Sequence, residues 1–178
     1  QSCGIAMNNF PSIIEKYKPD YIFVIGDRFD VLPIASTAML MNIPLAHSMG
    51  GERSGTIDES IRHAISKMAN LHFVANADAM ERLKKMGEVS ETIFNVGCPR
   101  IDSVDKVLKS YNPKLCFSNI SNHGSGDLKK IFHNDEYIVL LYHPVTTEYE
   151  DNHRNFEQVL DAFNSINIKK KIILWPNA

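Results

Sequence analysis

Short apolar runs alternate with longer amphipathic stretches along most of the chain. Ile22-Phe23-Val24-Ile25 is apolar at every position and bounded by Pro19-Asp20 and Gly26, which predicts a strand buried on both faces. Val31 to about Met41 is helical in composition, with Asp30 available as N-cap. Ile43 to His47 reads as the next strand, and Gly50 through Gly55 as a loop leading into a helix from Ile57 to about Ala69. That helix carries an apolar stripe at Ile57, Ile61, Ile65 and Met68, and Thr56-Ile57-Asp58-Glu59 has the spacing of a capping box. Leu71 to Val74 is apolar again, Asn76 to Met86 is amphipathic with Gly87 as a stop signal, and Ile93 to Val96 precedes a helical stretch from Ile101 to Leu108.

Alternation of short strands with helices of about 10–15 residues predicts βαβ units and a mostly parallel sheet, an open α/β, Rossmann-like domain. From Tyr111 to Glu136 the pattern dissolves into Asn, Ser, Gly, Lys and His. Periodicity then resumes with a strand from Tyr137 to Tyr142, a helix from Asn155 to Ile166 and a strand from Ile172 to Trp175. The expected organisation is therefore one Rossmann-like region over 1–110, a linker or surface excursion over 111–136, and the beginning of a second such domain over 137–178. The chain opens on Gln1 and stops just after an apolar run, so it reads as part of a longer protein.

Composition adds exclusions. A length of 178 residues with 44% hydrophobic and 22% charged residues lies near the average for soluble globular domains and far from disordered or fibrous classes. The net charge of −2 offers no basic field for a phosphate backbone, so no nucleic-acid partner is expected. No apolar run approaches the ~18 residues of a membrane helix, and no membrane partner is expected. Cys3, Cys98 and Cys116 are widely spaced and odd in number, which suits reduced thiols and a cytoplasmic location and lacks zinc-ligand spacing.

Ligands of open α/β sheets bind beyond the carboxyl ends of the strands. Asp27, His47 and His143 each follow a predicted strand there, although Asp or His at that place also serves turns and caps. In the helix after the glycine loop, Asp58 and Arg62 lie four apart, as do Glu59 and His63. These are either surface ion pairs or, for Asp58 and Arg62, an acid and a base lining a site where helix N–H groups would also meet an anion. Gly26-Asp27-Arg28-Phe29-Asp30 also matches the G-D-x-x-D string of binuclear metallophosphatases, but the nearest counterpart of their downstream motif, Asn122-His123-Gly124, lacks its flanking residues.

Taken in order, Gly26-Asp27-Arg28, Ile43-Pro44-Leu45-Ala46-His47, Gly50-Gly51-Glu52-Arg53-Ser54-Gly55-Thr56-Ile57-Asp58-Glu59-Ser60-Ile61-Arg62-His63-Ala64-Ile65, Asn95-Val96-Gly97-Cys98-Pro99-Arg100-Ile101-Asp102 and His143-Pro144-Val145-Thr146-Thr147 resemble the UDP-N-acetylglucosamine 2-epimerases. The long glycine-loop string is most similar to the hydrolysing branch of sialic acid biosynthesis. The resemblance implies a glycosyltransferase-B-like fold of two Rossmann-like domains, with 1–110 as the C-terminal part of the first. It also implies a homo-oligomer acting on a nucleotide sugar without a cofactor or metal. The implied reaction removes the C2 proton of the sugar, expels the nucleotide from C1 and hydrates the resulting glycal, turning UDP-N-acetylglucosamine into N-acetylmannosamine and UDP. Asp27, Asp58 and His143 would be catalytic, and His47, Met49, Gly51, Glu52, Arg53, Ser54, Glu59 and Arg62 would line the substrate. One departure stands out: Met49 occupies a position that is a catalytic glutamate in the non-hydrolysing enzymes and histidine in several bacterial hydrolysing ones. Two rival readings remain. One is the same chemistry on GDP-N-acetylglucosamine or a UDP-diacetamido-trideoxyhexose, and the other is a non-catalytic nucleotide-sugar binder.

Overall fold

The structure, a computed structural model, describes residues 1–111, 136–145 and 148–174. The chain divides into two compact units, Gln1–Val104 and Asp105–Ala178.

The first unit is a four-stranded parallel sheet in the order β1 (Ile22–Ile25), β2 (Leu45–Ser48), β3 (Leu71–Val74), β4 (Ile93–Asn95). Its helices are α1 (Ser2–Tyr17), α2 (Val31–Leu40), α3 (Ile57–Met68) and α4 (Ala77–Lys85), and α5 (Pro99–Lys109) crosses the division between the units. Strands recur in chain order because each helix returns the chain to the neighbouring strand, as the alternating pattern predicts. Val24, Leu45 and Ile65 meet Ala35, Ala38 and Ala69 in one core, and Val74, Ala79, Leu83 and Ile93 form a second under α4. Small residues on α2 let the helix lie close to the sheet.

Ahead of β1, α1 runs through Pro11, which removes one helical hydrogen bond. Packing against α2, with Ile14 buried, outweighs that loss. Several expectations are corrected. β1 is not buried on both faces: Val24 is inside, while Phe23 is 57% and Ile25 62% exposed. They share with Phe94 a sheet face that no helix among the described residues covers; Phe73 joins them there, stacked on Phe94 at 5.7 Å between ring centroids. Ile57, placed in the apolar stripe of α3, is exposed, whereas Arg62 and Ser66 are buried beside Ile65.

α4 follows its sequence signals closely. Asn76 Oδ1 accepts from the Ala79 N–H at 2.9 Å, a working N-cap. At the other end Gly87, at φ +87°, donates to the Lys84 carbonyl and Glu88 N–H to the Leu83 carbonyl, the paired bonds of a Schellman motif.

The second unit contains β5 (Tyr137–Leu141), α6 (Asn152–Ser165) and β6 (Lys170–Leu174), with β5 and β6 parallel and paired from Tyr137 with Lys170 to Leu141 with Leu174. This is one βαβ unit. The apolar side of α6 buries Phe163 and sets Phe156 5.5 Å from the Tyr142 ring. Of the polar stretch expected as a linker over 111–136, residues 112–135, with Cys116 and Asn122-His123-Gly124, lie outside the described residues; Thr146, Thr147 and the residues after Leu174 are outside them too.

Candidate active site

Asp27 sits where the parallel sheet predicts a site, one residue beyond the turn that ends β1. Gly26 makes that turn at φ +74°, a backbone conformation that costs a residue with a Cβ about 1 kcal/mol or more. The Gly26 N–H donates to the Ser48 carbonyl at 3.0 Å, so the turn begins as a continuation of the β1–β2 ladder.

The partner of Asp27 is Arg62 on the second turn of α3. Arg62 Nη2 bonds Asp27 Oδ2, and the side chains are 7% and 25% exposed. The same guanidinium donates through Nη1 to the Glu52 carbonyl at 2.7 Å and has Ser54 Oγ 3.5 Å from Nη2. A planar fork of donors suits this use, in which one buried cation holds a carboxylate and ties down the loop after β2. The expected helix-face pair of Asp58 with Arg62 does not form: Arg62 turns inward to Asp27, and Asp58 stays exposed on the first turn of α3. Attraction to a half-buried carboxylate outweighs a solvated pair worth a few tenths of a kcal/mol.

Glu59 takes a different job from the capping box. Its Oε2 accepts from the Ser54 and Gly55 N–H groups, each at 2.7 Å, and Thr56 supplies no side-chain cap. The Gly55 and Ser54 amides hold the Glu59 carboxyl below the usual carboxylate range. The Glu59 carboxylate therefore rivets the loop back onto the helix that follows it, with His63 Nε2 3.7 Å away. Asp30, expected as the cap of α2, makes no cap bond and pairs instead with Arg28. Both carboxylates of the G-D-x-x-D string thus face arginines, and among the described residues no three His, Cys, Asp or Glu side chains converge as a metal-holding group.

The glycine loop itself is set by close approach. Arg82 of α4 donates to the Gly51 carbonyl, and a Cβ at Gly51 would lie 2.5 Å from the Ala79 carbonyl oxygen, with φ already at +79°. Gly51 is thus packed against α4. Arg53 and Ser54 are exposed, and Glu52 contributes its carbonyl. Met49, at the end of β2, is half-buried and holds φ +65° without being glycine. Non-glycine residues in that region carry about 1–3 kcal/mol of strain and concentrate at functional sites.

His47 lies beneath this surface with no exposed area. Its Nε2 is 2.8 Å from the Gly26 carbonyl and its Nδ1 3.1 Å from Ser66 Oγ. A carbonyl only accepts, so Nε2 carries the proton and Nδ1 accepts from the serine hydroxyl. Burial drives the imidazole from 6.5 down to about 4; the Gly26 carbonyl opposes this in part, and neighbouring His72 adds to it. His72, in register with His47 on β3, is lowered as well, mainly by burial and against the pull of Glu88, whose Oε2 is 3.4 Å from its Nε2.

Sequence reasoning missed Gly26 as an acceptor, and it missed Ser66, Gly50 and Arg82. Only Ser66 left a signal, because Asp58, Arg62 and Ser66 recur every four residues on α3. His143 follows β5 in the second unit and is exposed there.

The profile of the family described as UDP-N-acetylglucosamine 2-epimerase matches residues 1–178. The chain belongs to the UDP-N-acetylglucosamine 2-epimerase family. Among relatives of this epimerase-family chain, the UDP-N,N'-diacetylbacillosamine 2-epimerase (hydrolyzing) of Legionella pneumophila is 38% identical over all of the chain and 44% of its own length. The GDP/UDP-N,N'-diacetylbacillosamine 2-epimerase (hydrolyzing) of Campylobacter jejuni is 33% identical, again over 100% of the chain and 44% of the relative. The chain therefore spans less than half the length of these two proteins. The solved UDP-GlcNAc 2-epimerase of Neisseria meningitidis, bound to UDP-GlcNAc, superposes with a TM-score of 0.74 at 18% identity over 98% of this chain and 47% of that one. The fold class is accordingly α/β of the glycosyltransferase-B-like kind.

Proposed function

We propose that the whole protein is a hydrolysing 2-epimerase of a UDP-linked 2-acetamido sugar, and that this chain carries its proton-transfer carboxylates. One observation carries the reading: the Asp27 carboxylate, partly open to solvent beyond the end of β1, is oriented by a buried guanidinium. Arg62 holds Oδ2, and a carboxylate accepts through both oxygens, so Oδ1 is the atom we assign to take the C2 proton. The C2–H electron pair becomes the C1=C2 bond as the C1–O bond to the diphosphate breaks. Water then adds at C1 and releases a proton, while Asp58 in its protonated form delivers one to C2 from the opposite face; exchange with solvent returns Asp27 to the carboxylate and Asp58 to the acid. His143 belongs to leaving-group protonation or diphosphate contact. The products are UDP and the free sugar inverted at C2. We assign the protein a cytoplasmic setting, which the odd number and wide spacing of its cysteines support.

The sugar has two readings, because the 38% and 33% identical relatives are named for a diacetylated trideoxy sugar rather than for N-acetylglucosamine. Incubating the full-length protein in D₂O with UDP-N-acetylglucosamine, GDP-N-acetylglucosamine or UDP-N,N'-diacetylbacillosamine separates them. We expect one UDP sugar to release UDP and a free sugar carrying deuterium at C2. Tight binding of a nucleotide sugar with neither release nor exchange would leave a binder and remove the epimerase.

A further inference from the structure

We propose that His47 is a positioning residue: its imidazole fixes the Gly26–Asp27 peptide plane and α3 together, and so sets the geometry of the Asp27–Arg62 pair. The role deepens the epimerase reading above and rests on it for its kinetic consequence. Gly26 C=O and Asp27 N belong to one peptide unit, so the Nε2–H bond at 2.8 Å to that carbonyl fixes the plane from which the Asp27 side chain departs. The other ring nitrogen takes the Ser66 hydroxyl, one turn beyond Arg62 on the same helix. A single buried ring, anchored on central strand β2, therefore grips the element under each member of the ion pair.

Two further features fit this role. Gly50 covers the contact so tightly that a Cβ there would lie 2.8 Å from Ser66 Oγ and 2.9 Å from His47 Nδ1, leaving no room for a side chain at position 50. His47 has no exposed area and both its nitrogens are engaged, which assigns it to support beneath the site rather than to contact with substrate. An apolar residue of similar size would fill the space but would strand the Gly26 carbonyl and the Ser66 hydroxyl.

The test compares full-length wild type, His47→Asn and His47→Gln. Glutamine carries a donor about as far along the side chain as Nε2 and can still reach the Gly26 carbonyl; asparagine reaches only the Nδ1 side. With UDP-N-acetylglucosamine and UDP-N,N'-diacetylbacillosamine as substrates, His47→Asn should lose about 10²-fold in kcat with little change in KM, since misplacing a reacting group by about 1 Å costs that much. His47→Gln should recover most of the loss. In hydrogen exchange, His47→Asn should lose protection at 26–30 while β3 and α4 keep theirs. Wild-type kcat in His47→Asn, equal losses in the two variants, or a uniform loss of protection would overturn the proposal. Should wild type turn over neither sugar, the epimerase reading falls, and the local or uniform pattern of exchange still decides whether His47 positions the Asp27 turn.

Discussion

Acidification probes the burial of His47 directly. In the unfolded chain its imidazole binds a proton near 6.5, and in the folded protein only near 4. Between those values the unfolded state holds the extra proton, so stability rises with pH across the window. The contribution is fully present above 6.5, declines as pH falls and is lost at about 4. The fall from 6.5 to about 4, at about 1.36 kcal/mol per unit, amounts to ~3 kcal/mol, a large share of a typical domain's stability. Urea unfolding followed by circular dichroism from about pH 7 to about pH 4 measures it, with His47→Gln as reference because an amide does not titrate there. At neutral pH the variant should be the less stable protein, since its amide replaces both imidazole bonds imperfectly. As pH falls the gap should close by about 3 kcal/mol. His72 shifts in the same direction and is present in both proteins, so only its repulsion with His47 enters the difference. Parallel curves would refute the reasoning, because they would mean that His47 is hydrated enough to titrate normally.

Three further outcomes follow from the site. Gly51→Ala forces a Cβ against the Ala79 carbonyl at φ +79° and should cost about 2–4 kcal/mol, read as a lower urea midpoint; an unchanged midpoint would show that the loop shifts freely. Asp27→Asn keeps the shape and an oxygen for Arg62 but removes the proton acceptor, so the full-length variant should bind nucleotide normally and lose ~10²–10⁴ in kcat; near-normal turnover would reduce Asp27 to a turn residue. Met49→Glu places a half-buried carboxylate on a backbone at φ +65° with no assigned cation, and activity should fall; a rise of about 10²-fold would mean that Met49 stands where a catalytic group belongs.

The sequence alone determined the alternation of elements, the parallel order implied by it, and the places where strands end. These are local properties: a strand or helix is written in its own periodicity, Gly26 and Gly87 act through their own backbone, and the Asn76 side chain caps an amide only three residues on. The family resemblance was legible for the same reason, since motifs are contiguous strings. Partners across the fold were not legible. Spacing on α3 pointed Arg62 at Asp58, four residues away, and only the packed sheet brought Asp27, thirty-five positions distant, within reach of the guanidinium. Spacing likewise suggested a closed capping box, whereas the loop's curvature delivered the Ser54 and Gly55 amides to Glu59. His47 marked the end of a strand in the sequence; its burial, its tautomer and its hold on Gly26 and Ser66 exist only once β1, β2 and α3 are assembled. A helix face fixes which side chains share a surface, but which charge is buried and with whom depends on desolvation, and desolvation is set by the whole tertiary fold.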